Sequence, residues 1–89
     1  MKKITQKILK YTAIFEPAKE GGYVVSVPAL PGCATQGENF EDAVEMVKDA
    51  IQLYLSALKE EGEDIPKETD DIVVTKISVP EPAISNGIL

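Results

Sequence analysis

Apolar and polar side chains alternate from residue 7 to residue 15. Leu9, Tyr11, Ala13 and Phe15 fall on one side and Ile8, Lys10, Thr12 and Ile14 on the other, the two-residue period of a strand. Pro17 ends that run, Gly21 and Gly22 supply positive φ, and residues 23–27 resume with aromatic and β-branched side chains, so the pair predicts a hairpin. Pro28, Pro31 and Gly32 then break the second strand into a corner, leaving residues 33–36 for a short third strand. After Asn39 the period changes. Asn39 is a suitable N-cap, and Glu41 and Asp42 fall in the first turn, where carboxylates meet the positive end of the helix dipole. Phe40, Val44, Val47, Ile51, Tyr54, Leu55 and Leu58 make one stripe about 120° wide, and Gly62 stands where the helix should stop. Residues 63–71 are a polar connector interrupted by Ile65 and Pro66, and residues 72–79 alternate again as a fourth strand closed by Pro80 and Pro82.

The predicted order is βββαβ, an α+β domain over residues 1–79 with a tail at 80–89. The long connector lets the last strand return beside the first, giving a four-stranded mixed sheet with one main helix on one face. One helix covers one face. Apolar residues on both sides of the first strand therefore require a second cover, supplied either by self-association (dimer or tetramer) through the sheet or an edge strand, or by the terminal segments in a monomer. Ile84, Ile88 and Leu89 in the tail are candidates to dock on a neighbour.

Charge changes the picture more than length does. The chain has 89 residues, one domain's worth, with no Trp, no His and no Arg; its nine cations are all Lys, against fifteen acids. Four of the lysines (Lys2, Lys3, Lys7, Lys10) precede Tyr11, so the body carries five cations against fifteen acids and repels phosphate. Cys33 is the single cysteine, so an internal disulfide and a structural zinc site are both excluded. No stretch approaches the roughly eighteen apolar residues of a spanning helix, and no apolar core follows the N-terminal lysines as in a signal peptide; a cytoplasmic protein is expected.

The order of elements is that of a truncated RNase H fold, whose two-metal chemistry needs converging carboxylates, the first in mid-strand. The first strand here has no acid before Glu16 at its end. Cys33, Ser26, Ser56, Ser78 and Ser85 have no histidine to activate them. Gly32 and Gly37 precede the helix, yet Glu38, Glu41 and Asp42 would repel an anion there, so these glycines are read as backbone geometry. No catalytic, cofactor or metal residue is assigned. What remains is a helix face carrying Asp42, Glu45, Asp49 and Glu60. The like-charged pairs Glu41/Glu45 and Glu45/Asp49 each cost roughly 0.2–0.5 kcal/mol. Met46, Ala50, Leu53 and Ala57 lie beside them. Glu38, Asp42, Glu45, Met46, Asp49 and Leu53 are the candidate contacts for a basic protein. The same face also reads as an ordinary solvated surface.

The segment GGYVVSVPALPGCATQGENFEDA, residues 21–43, resembles the core signature of the HicB family, the antitoxin halves of HicA/HicB toxin-antitoxin pairs. The matching positions are Gly22, Tyr23, Pro28, Pro31, Gly32, Cys33, Gly37, Glu41 and Ala43, and the likeness runs over residues 8–77. It implies a partial RNase H-like fold, a non-enzymatic antitoxin, and a small basic HicA-like ribonuclease toxin as partner, neutralised by occlusion of its active surface. Members of that family commonly add a C-terminal DNA-binding module. Residues 81–89 are too few for one and carry no Lys or Arg, so DNA binding is not expected. The alternative within the same resemblance is an orphan HicB-like oligomeric adaptor or small-ligand binder without a toxin.

Overall fold

The computed structural model describes residues 7–68 and 73–83. Strands β1 (Ile14–Pro17), β2 (Tyr23–Ser26) and β3 (Ala34–Gly37) form an antiparallel sheet in the order β1-β2-β3, followed by helix α1 (Phe40–Glu60). Phe15 lies opposite Val25, which lies opposite Thr35 across β2 and β3. The β1–β2 turn is a three-residue loop: the Ala18 amide donates to the Gly22 carbonyl (2.9 Å) and the Gly21 amide to the Ala18 carbonyl (3.1 Å), with φ of 100° at Gly21.

β1 starts at residue 14, although alternation begins at residue 7. A strand extends only as far as its partner. β2 ends at Ser26, opposite Ile14, because Pro28 and the corner behind it turn the chain away. That corner is itself hydrogen-bonded: Val27 donates to Cys33 (3.1 Å), Leu30 to Val27 (3.0 Å) and Cys33 to Leu30 (2.9 Å). It drives Leu30 inward, where it is fully buried with Val25, and these join Val27, Cys33, Ala43 and Val47 as the core. The Tyr54 hydroxyl donates to the Pro31 carbonyl (2.9 Å) and fastens the corner to α1.

Asn39 caps α1. It has extended backbone, and its side chain accepts from the Asp42 amide (2.7 Å), while the Asp42 carboxylate accepts from the Glu38 amide (2.9 Å). Gly62, with φ of 74°, follows the last turn. The buried side of the helix keeps Val44, Val47, Ile51, Tyr54, Leu55 and Leu58 of the expected stripe and extends to Ala43, which is buried, and Ala50, which is half-buried, whereas Phe40 is 49% exposed. Close approach of helix and sheet selects the small side chains Ala43 and Ala50. Phe40 serves instead at the rim, with its ring centroid 4.8 Å from that of Phe15 and 6.0 Å from that of Tyr23.

The described residues form three strands, not four, and the sheet is antiparallel throughout rather than mixed. Residues 73–79, expected in the fourth strand, are unpaired, with Val73, Val74, Ile77 and Val79 between 66% and 80% exposed. The chain does return to the first strand: the Tyr11 hydroxyl donates to the Pro66 carbonyl (2.6 Å), and the Thr12 amide and hydroxyl donate to the Glu68 carboxylate (2.9 and 2.6 Å). Alternation specifies a strand only if an edge accepts it, and among the described residues of one chain none does. Ile72, Lys2, Lys3 and the expected docking residues Ile84, Ile88 and Leu89 lie outside the described residues.

Candidate protein-docking surface

Gly22, Gly37 and Ala43 meet at one point. A Cβ on Gly22 would strike the Gly37 carbonyl oxygen, and a Cβ on Gly37 would strike the backbone nitrogen and Cα of Ala43. Because neither glycine has a side chain, the hairpin tip, the end of β3 and the first turn of α1 come together. The product is a shallow depression of about 500 Å³, lined in part by Glu20, Tyr23, Gln36, Glu38, Asp42 and Met46.

Three of the six candidate contacts, Glu38, Asp42 and Met46, thus share one depression. Glu45, Asp49 and Leu53 continue from it along the same side of α1, with Glu45 and Asp49 opposite the buried stripe and Met46 and Leu53 nearer its border. Their exposures differ in kind. Leu53 is 74% exposed and Met46 42%, an apolar strip among acids. The Asp42 carboxylate is taken up by the Glu38 amide, and Glu45 pairs with Lys48 at 3.3 Å, the one ion pair among the described residues. Glu20, Glu38 and Asp49 are therefore the acids that face water without such a tie. Glu20 was not singled out by periodicity, since its place beside Glu38 depends on the Gly22–Gly37 contact, which joins residues fifteen positions apart.

Of the remaining signature positions, Pro28, Pro31 and Gly32 shape the exposed outside of the corner and Glu41 is exposed in the first turn of α1. Cys33 is buried, and burial pushes its thiol pKa up, away from the reactive thiolate. Among the described residues no three His, Cys, Asp or Glu side chains converge as a metal ion requires, and no helix is long and apolar enough to cross a membrane. The surface is equipped for contact: an apolar strip edged by carboxylates, with Tyr23 of the packed aromatic trio Phe15, Tyr23 and Phe40 in the lining of the depression.

A three-stranded antiparallel sheet with one capped helix across it, joined by a Pro-x-x-Pro-Gly-Cys corner, defines a small α+β scaffold. The chain belongs to the HicB-like antitoxin family of bacterial toxin-antitoxin systems, whose sequence profile matches residues 11–83. It is 47% identical over 60 residues to a UPF0150 protein of Thermoplasma acidophilum, covering 67% of this chain and 87% of that one. It is 42% identical over 60 residues to antitoxin HicB 1 of Photorhabdus laumondii, and 40% identical over 58 residues to antitoxin HicB of Escherichia coli. The matches cover 67% and 65% of this chain but only 39% and 42% of those two antitoxins.

Proposed function

We propose that this chain neutralises a small, basic, HicA-like mRNA interferase by covering its active surface. The observation that carries the reading is the acid-edged apolar strip: Met46 and Leu53 in water, with Glu20, Glu38 and Asp49 around them. A toxin that binds RNA must present cations where the phosphates lie, and an acidic surface competes for those cations while the apolar strip excludes water between the partners. The chain acts by occupancy, with no chemistry of its own. Its half RNase H-like framework serves as a support, and the cytoplasm, where mRNA is found, is its place of work.

The test is co-expression with the product of the neighbouring reading frame, scored by rescue of growth and by copurification. Glu38→Lys with Asp49→Lys should weaken capture by roughly tenfold or more and flatten its salt dependence. Unchanged affinity and an unchanged salt slope would remove this flank from the interface.

A further inference from the structure

We propose that residues 73–79 are a donor strand, added to the free edge of β1 in a second copy of this chain. Val73, Thr75, Ile77 and Val79 lie on one side of that segment and Val74, Lys76 and Ser78 on the other, and Val73, Ile77 and Val79 are 80%, 77% and 76% exposed. Such a segment has a strand's pattern without a strand's partner. Among the described residues β1 has the complementary vacancy. Its Ala18–Gly22 bond sets the parity of the β1–β2 ladder, so the Phe15 N–H faces away from β2, at the sheet edge. Pro17, which shares that parity, has no N–H to leave unpaired, as suits an edge strand.

Beside this edge runs a groove of about 970 Å³ between residues 7–15 and α1, lined by Leu9, Phe15, Val47, Ile51 and Leu55 among others. Val73, Ile77 and Val79 offer apolar side chains to the apolar part of that lining. The Tyr11–Pro66 and Thr12–Glu68 bonds bring the chain to the head of the first strand, yet the arm beyond stays in water. A second copy offers the same edge and groove, and reciprocal donation closes a two-fold pair. Charge allows this occupant too. Lys76 is the only charged residue in 73–79, in a molecule of net charge −6, and it lies on the opposite side of the segment from Val73, Ile77 and Val79, so the apolar side of the arm can enter the groove without setting Lys76 against Lys7, Lys10 and Lys48, which also line it. The inference stands apart from toxin capture, which uses the opposite flank of α1.

Sedimentation equilibrium on the full chain, with hydrogen exchange at the Phe15 amide, tests it. A mass at least twice that of the chain is expected, with Phe15 protection rising as protein concentration rises. Ile77→Lys with Val79→Lys should give the monomer mass and an unprotected Phe15 amide. Three outcomes overturn the proposal: a wild-type monomer at all concentrations, Phe15 protection that does not depend on concentration (an arm folded onto its own edge), or a dimer that survives the double substitution.

Discussion

At the contact between Gly22, Gly37 and Ala43 the absence of two methyl groups decides how the molecule closes. Gly37→Ala sets a Cβ against the backbone of the first helical turn, which cannot rotate away, and should cost about 1–3 kcal/mol. Gly22→Ala meets the Gly37 carbonyl and also sits at φ of 76°, adding roughly 1–2 kcal/mol of left-handed strain, so it should be the worse of the two. Gly21→Ala has open space and bears only the strain. Thermal unfolding should show Gly22→Ala melting lowest, then Gly37→Ala, then Gly21→Ala, and Ala43→Gly should not rescue Gly37→Ala, because the nearest obstacles are backbone atoms. The glycines were legible in the sequence as backbone geometry, but not as one contact, since nothing in local pattern says that residues 22, 37 and 43 touch. Leu30 was hidden for a similar reason. It lies in a proline-rich corner that reads as surface, and only the three hydrogen bonds among Val27, Leu30 and Cys33 turn it inward.

Helix and hairpin were readable because their signals are local: a cap, a period, two glycines. The Asn39 cap and the Gly62 stop lie where the residue types put them. Strand limits were less readable because pairing is a property of two segments. The alternation in residues 7–13 has no strand partner among the described residues, only the bonds of Tyr11 and Thr12 to Pro66 and Glu68, and that in residues 73–79 has none either. The candidate docking side of α1 followed from the 3.6-residue period, yet Asp42 belongs as much to the cap as to the surface, and Lys48 occupies Glu45. Between helix and arm the Thr12–Glu68 clasp ties the connector to the first strand. Two hydrogen bonds from Thr12 hold the Glu68 carboxyl below the usual carboxylate range. A depressed folded-state pKa stabilises the folded form above the ordinary carboxylate pKa, and that contribution is lost as pH falls through the lowered value. Exchange of the Thr12 amide should therefore speed up on acidification beyond its intrinsic pH trend. In Glu68→Gln that added acid response should vanish, and a wild-type amide with no such response would mean that the clasp does not form in solution.

For the molecule as a whole, the two unpartnered surfaces have opposite character. The acidic flank of α1 repels another copy and suits a cation-rich partner. The near-neutral arm and the β1 groove suit a second copy. With six buried apolar side chains among the described residues, the core is small, so association through the arm should contribute to folding itself. The consequence is a melting temperature that depends on concentration. If unfolding and dissociation are coupled, each tenfold rise in protein adds about 1.4 kcal/mol to the stability of the dimer, or roughly 3–6 °C for a unit of its size. Differential scanning calorimetry of the wild type should show that rise, while Ile77→Lys with Val79→Lys should melt lower and at a temperature that concentration does not move. A wild-type curve equally indifferent to concentration would mean that the three strands and helix carry their own stability and that the arm contributes nothing to it.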